Sequence, residues 1–222
     1  MALILCIETA TKCCSVALAK EGELYAYKEN IPKVYSHSES LNIYIQDLLK
    51  ECQLKINHLD AIAVSSGPGS YTGLRIGCSS AKGLCYALGL PLISIPTLDS
   101  MAQIKMVNNK DKILCPMIDA RRMEVYCSLF YKNFQTDVEA KEINARSFSE
   151  ELKNNSILFF GDGAEKCESF ITSSNAYFDI DFYPSARGML ALSQKKFDLN
   201  QFEDLAYFTP FYLKEFFTSI KH

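Results

Sequence analysis

The sequence predicts an α/β protein of two tandem domains, each a mixed sheet flanked by helices. Three observations point there. Residues 2–95 carry elements in the order β-β-β-α-β-α-β. Part of that order restarts after residue 112. Between an apolar strand and a helix lies a glycine-rich turn, Ser66-Gly67-Pro68-Gly69-Ser70-Tyr71-Thr72-Gly73-Leu74-Arg75-Ile76-Gly77. With 222 residues, 48% of them hydrophobic, the chain has material for two such units and a real core.

Ala2-Leu3-Ile4-Leu5-Cys6-Ile7 is continuously apolar, as expected of a strand buried on both faces. It ends at Glu8-Thr9-Ala10-Thr11. Ser15–Ala19 resumes β character, Glu21-Gly22 turns the chain, and Leu24–Tyr27 returns, an antiparallel meander. Ser36 suits an N-cap and Glu39 closes a capping box. Leu41, Tyr44, Ile45, Leu48 and Cys52 follow at helical spacing, which predicts an amphipathic helix over 36–52. Ala61–Ser65 is a fourth strand. The glycine-rich turn opens a helix over 74–88 that Gly89 closes, and Leu92–Ile95 is a fifth strand.

The second unit begins with Ile113–Ile118, which ends at Asp119-Ala120-Arg121-Arg122, and continues with Val125–Phe130. This repeats the apolar strand, acidic residue, turn and strand of residues 2–19. Ile157–Phe160 then runs into Gly161-Asp162-Gly163-Ala164 and a helical stretch, echoing the strand, glycine turn and helix above. A last helix spans 185–197 with Ser185 as its cap. Thr209–Leu213 is too apolar for a free tail and is expected to pack on the body.

Charge and cysteine usage narrow the function classes. The net charge is −3 with no basic block, which argues against a stand-alone nucleic-acid binder. There is neither an apolar run of membrane-spanning length nor a basic-then-apolar leader, so a soluble, cytoplasmic chain is expected. The nine cysteines are odd in number and include no Cys-x-x-Cys pair, which predicts reduced core thiols.

The glycine-rich turn reads two ways. Free N–H groups and the helix dipole at such a turn cradle an anion; equally, its glycines let two backbones pack closely. It is not a Walker A loop, since Gly73-Leu74-Arg75 stands where Gly-Lys-Ser/Thr is needed. Arg75 meets either an anion or, where the turn merely packs, a carboxylate or carbonyl. Of His37, His58 and His222, none has a second histidine four residues on; Leu41 follows His37 at that spacing, so no helical metal site is expected. There is no Gly-x-Ser-x-Gly elbow. The 74–88 helix is apolar nearly all round, with only Arg75 and Lys82 charged and with small residues at Gly77, Ser80, Ala81 and Gly83. That pattern predicts a subunit interface. Its expected residues are Leu41, Tyr44 and Ile45 of the first helix and Leu74, Gly77, Cys78, Ser80, Ala81, Leu84 and Cys85 of the second, with Ile43 adding apolar surface.

Two copies of strand, acid and turn resemble the actin-like ATPase superfamily, whose members hold nucleotide phosphates between two such hairpins. Here Glu8 replaces the commoner aspartate and Ala10 the glycine, and both crowd a phosphate. Glu8, Ala10, Gly67, Gly69, Gly73, Arg75 and Asp119 therefore read as a vestigial phosphate loop. More specifically, Ile7–Thr11, the glycine-rich turn, Ser94-Ile95-Pro96-Thr97-Leu98, Ile118-Asp119-Ala120-Arg121 and Pro210-Phe211-Tyr212-Leu213-Lys214 resemble the TsaB (YeaZ) family, while 133–205 matches loosely. The resemblance implies two RNase H-like (actin-like ATPase) domains, at 1–97 and 98–205, with 206–222 packing back. It implies a non-catalytic subunit in threonylcarbamoyladenosine modification of tRNA, heterodimeric with the transferase TsaD, joined by the ATPase TsaE, meeting tRNA only through the complex, and homodimeric when alone. No metal or cofactor is expected, with weak or no ATP binding. The alternative is a nucleotide-binding enzyme of the actin-like ATPase or sugar kinase type, using Glu8, the glycine turn and Asp119.

Overall fold

The computed structural model describes residues 2–32 and 37–214. Its two five-stranded sheets share one topology. In the first, β1 (Leu3–Glu8), β2 (Cys14–Lys20) and β3 (Glu23–Asn30) form the antiparallel meander. β4 (Ala61–Ser65) and β5 (Leu92–Ile95) continue it in parallel on the other side of β1, giving the order β3-β2-β1-β4-β5. In the second, β6 (Ile113–Asp119) takes the place of β1. β7 (Glu124–Cys127) and β8 (Glu139–Glu142) run antiparallel on one side, and β9 (Ile157–Phe160) and β10 (Ala176–Asp179) run parallel on the other. β1 and β4 are buried at every position, which is why neither alternates polar with apolar.

Two helices cover one face of the first sheet: α1 (His37–Glu51) and α2 (Tyr71–Leu88). Leu41, Ile45, Leu48, Ala81 and Cys85 pack there against Leu5, Ile7, Val16, Leu18 and Val64. α2 starts three residues before the expected position because Ser70 is its cap, accepting the Gly73 N–H at 3.3 Å. Gly89, at φ 66°, ends it in the left-handed conformation. The expected cap of α1, Ser36, lies outside the described residues.

The helix that follows the last strand of each unit crosses to the other unit. α3 (Thr97–Met106) places Leu98, Met101 and Ala102 against Leu114, Ile118, Leu158 and Phe160 of the second sheet. A 3₁₀ turn, Ala186–Met189, and α4 (Leu190–Asp198) cover the free face of the first sheet, where Ala186 and Met189 meet Ile4, Cys6, Ala17, Ala63 and Ile93. This corrects the expected layout: residues 186–198 belong by packing to the first sheet, not to a C-terminal unit. The crossing segments touch at Gly188, where a Cβ would run into the Ser100 carbonyl.

Other differences lie in the second unit. The stretch after Gly161 makes only a 3₁₀ turn, Glu165–Cys167, because Cys167 and Ile171 turn into the core and the chain extends after them. β8 reads Glu-Ala-Lys-Glu, a polar edge without an apolar signal, and neither it, β10 nor α3 was expected. After α4 the chain returns along the first unit. The Glu203 N–H donates to the Leu92 carbonyl at 2.9 Å, and Lys82 Nζ donates to the Phe208 carbonyl at 3.0 Å. The Phe211 N–H donates to the Ser66 carbonyl at 2.7 Å. Lys214 then pairs with Glu124, so this strap spans both units.

The glycines of α2 differ in what surrounds them. A Cβ on Gly73 would collide with the Thr9 carbonyl, a backbone atom that cannot yield. Gly73→Ala is expected to lose about 2–4 kcal/mol in urea unfolding. Gly83 has nothing within 4 Å of its would-be Cβ. Gly83→Ala is expected to gain about 0.5–1 kcal/mol in the same measurement.

Candidate functional site

The glycine-rich turn is pressed against the β1–β2 loop, backbone on backbone. The Ser70 N–H donates to the Ala10 carbonyl at 2.6 Å, and Thr9 Oγ1 donates to the Gly73 carbonyl at 2.8 Å. A Cβ on Gly69 would lie 2.6 Å from the Ala10 carbonyl oxygen and 2.7 Å from its methyl. One on Gly77 would strike Thr9 Oγ1. Gly67, at φ 105°, sits beside the Phe211 carbonyl and gives its own carbonyl to the Thr97 N–H at 2.9 Å. The space a phosphate would take is thus occupied by the chain, and the residues do not fit a nucleotide phosphate in this turn. The Arg75 guanidinium stacks on the Tyr71 ring, 4.1 Å from its centroid.

Glu8 lies beneath this contact and is wholly buried. Its Oε1 accepts the Ala10 N–H at 2.7 Å, while Oε2 has no hydrogen-bond partner. Burial pushes its carboxyl up to about 7, against the opposing pull of the hydrogen bonds. Among the vestigial phosphate-loop residues, Glu8 and Ala10 are therefore joined to each other and Gly69 and Gly73 to the loop that carries them. Asp119 belongs to the second unit, where its carboxylate accepts from Lys166 Nζ and from the Arg121 N–H at 2.9 Å. His37 is buried with Nε2 2.7 Å from the Thr11 carbonyl. Among the described residues no three His, Cys, Asp or Glu side chains are placed to hold a metal.

The expected partner face needs correction. Leu41, Ile45, Leu74, Gly77, Cys78, Ala81 and Cys85 are buried in this chain's own core, and Tyr44, Ser80 and Leu84 are half-buried. The reason is that α2 needs its apolar face for the first sheet. Its outward stripe runs through Thr72, Arg75, Ile76, Ser79, Ser80, Gly83, Tyr86 and Ala87, spaced as one side of a helix. Tyr86 is 84% exposed, and Ile43 on α1 is 54% exposed. Sequence reasoning missed Tyr86 and used Gly83 only as one small residue among several. A helical-period count that set the Leu74–Cys85 face inward would have found this stripe.

A depression of about 460 Å³ between the β2–β3 turn and α4, lined by Glu21, Gly22, Gln194 and Leu199 among others, lies away from both features.

A family model described as TsaD, tRNA N6-adenosine threonylcarbamoyltransferase, matches residues 31–216. The tRNA threonylcarbamoyladenosine biosynthesis protein TsaB of Escherichia coli K12 is 38% identical over 130 residues, 59% of this chain and 55% of that protein. The same-named protein of Buchnera aphidicola from Schizaphis graminum is 30% identical over 169 residues, 76% of this chain and 68% of that one. The chain spans little more than half the length of most of the curated relatives it matches. Among solved structures, YeaZ from Pseudomonas aeruginosa superposes with a TM-score of 0.77 at 25% identity, covering 96% of this chain and all of that one. The fold is thus the two-domain actin-like, RNase H-like architecture.

The buried Glu8 carboxyl has a measurable consequence. Its raised value means the folded state holds a proton that the unfolded state has released between about pH 4.5 and 7. Stability from this group is complete below that window and is lost as pH rises through it. Relative to Glu8→Gln, the wild-type chain should lose on the order of 3 kcal/mol at most in urea unfolding between pH 5 and pH 8. Parallel pH profiles for the two proteins would show that the carboxyl is ionised throughout.

Proposed function

We propose, from the premise that this chain belongs to the TsaB (YeaZ) family, that it serves tRNA threonylcarbamoyladenosine biosynthesis as a non-catalytic subunit. It pairs with the transferase TsaD through the outer stripe of α2 and the adjoining part of α1, and the pair recruits TsaE. tRNA meets it within that assembly. Without TsaD the same stripe pairs with a second copy of this chain.

Gly83 carries this reading. A glycine in mid-helix weakens the helix by about 1 kcal/mol relative to alanine. The other helical glycines of α2, Gly73 and Gly77, are needed because Thr9 lies against them. Gly83 has open space around it and no left-handed backbone to require it. Its use is the close approach of something outside the chain, and Ser79, Ser80 and Ala87 beside it keep the stripe low. Tyr86 and Ile43 border it as exposed apolar anchors.

The filled glycine turn supports a role without nucleotide chemistry of its own. Calorimetry with ATP and Mg²⁺ on the chain alone is expected to give no binding tighter than about millimolar. Micromolar binding lost in Glu8→Gln would favour the nucleotide-binding enzyme instead.

Gly83→Arg tests the stripe without entering the core, whereas Ala81→Arg would place a charge in a fully buried position and unfold the chain. Gly83→Arg should fold and lose about 100-fold or more in TsaD affinity. In a reconstituted modification reaction, omitting this chain or supplying Gly83→Arg should abolish threonylcarbamoyl transfer to tRNA, and Glu8→Gln should retain most of it. Normal pairing by Gly83→Arg would overturn the proposed surface; modification unaffected by leaving the chain out would overturn the proposed role.

A further inference from the structure

Arg121 and Arg122, between β6 and β7, both have left-handed backbones, at φ 67° and 49°. Neither is a residue type that tolerates this region cheaply. Such conformations persist only where the surroundings over-determine them. Here the surroundings do so in detail. Asp119 Oδ1 accepts the Arg121 N–H at 2.9 Å, and Asp162 Oδ1 accepts the Asp119 N–H at 3.1 Å. Lys166 Nζ donates to the Asp119 carboxylate, to the Arg122 carbonyl at 2.8 Å and to the Glu124 carbonyl at 2.7 Å. All three ammonium protons are committed to the turn. The Ala120 N–H closes it on the Glu124 carbonyl at 3.0 Å.

None of this requires arginine side chains. Both are exposed, and among the described residues neither guanidinium has an ion-pair partner. The nearby carboxylates of Asp119 and Glu124 are answered by lysines instead, Lys166 and Lys214. The turn stands at the carboxyl end of β6, the end of a parallel sheet where open α/β folds bind ligands.

We infer that the Arg121–Arg122 turn is a built phosphate-binding element whose ligand is the phosphodiester backbone of RNA. This rests on the reading of the chain as a subunit in tRNA modification. Guanidinium groups bind phosphate oxygens bidentately. Their solvent exposure suits a large polyanion and not the enclosed seat that a mononucleotide needs. Two such contacts add modest affinity in a chain of net charge −3. Their use is to orient an RNA held mainly by the rest of the assembly.

The test measures tRNA binding by the full chain at low salt and its dependence on salt. Variants are Arg121→Gln with Arg122→Gln, Arg121→Asn with Arg122→Gly, and Arg146→Gln as an exposed control. Both double variants should bind about tenfold more weakly, with a salt slope shallower by roughly 1.5, and the control should not change. Asparagine-glycine suits a left-handed turn, so that variant's Tm should rise by about 2–5 °C while RNA binding falls. A purely structural role for the arginines would lower it. A wild-type salt slope in the double variants, or no measurable RNA binding by the wild-type chain at low salt, would overturn the inference. In the reconstituted reaction the double variants should raise the KM for tRNA with kcat unchanged. An unchanged KM overturns the turn's role and leaves the subunit reading standing. Modification that does not depend on this chain overturns that reading, and the binding assay still judges the turn.

Discussion

The start of α2 and its cap Ser70 are held closely against the loop after β1, and much else follows from that contact. The Ser70 N–H and the Gly73 backbone meet the Ala10 carbonyl and the Thr9 side chain at hydrogen-bond distance. The contact fixes where α2 leaves the sheet, and α1 then packs beside it. It also takes up the Ser70 N–H, one of the groups that make a glycine-rich helix start attractive to anions. The turn holds a neighbouring loop instead of open space. Beneath it Glu8 is left with one carboxyl oxygen unpartnered, and that desolvation is what raises its proton affinity.

The two units are duplicates in topology but not in self-sufficiency. The first sheet has α1 and α2 on one face, while its other face is covered by a segment from the far end of the chain. Ile4, Cys6 and Ile93 are dry only because Ala186 and Met189 lie over them. The strap of residues 201–214 adds backbone hydrogen bonds to the first unit and ends on Glu124 of the second. Shortened helical segments in the second unit fit this arrangement. With α3 supplied from the first unit, its other face is filled by Phe148, Leu152, Cys167 and Ile171 from loops and short turns.

α2 has two unlike sides. Leu74, Cys78, Ala81 and Cys85 face the sheet, and the opposite side is short, weakly charged and bounded by exposed aromatic and aliphatic groups. A soluble helix with no outward duty would carry more charge there. The Arg121–Arg122 turn has a similar logic, since backbone strain and a committed lysine support two side chains that make no ion pair within the described chain.

Local features were legible in the sequence. Continuous apolar runs marked β1, β4 and β6; Glu21-Gly22 marked the meander; Ser70 through Gly77 and Gly89 bounded α2; Ser185 marked the start of the last helical segment. The duplication was legible too, because it is an order of elements. The crossing of α3 and α4 between units was not, since an apolar helix face looks the same whichever sheet it covers. Nor was the division of glycines. Gly69, Gly73 and Gly77 serve Thr9 and Ala10, while Gly83 faces open space. All four are small residues in one segment, and residue size alone carries no record of the neighbour it makes room for. The sequence by itself determined the elements of the first unit through β5, the order that the second unit repeats, and the family; β8, β10 and α3 carried too little apolar pattern to be read. Only the tertiary structure decided which side of α2 is free, because that depends on contacts between residues distant in the chain.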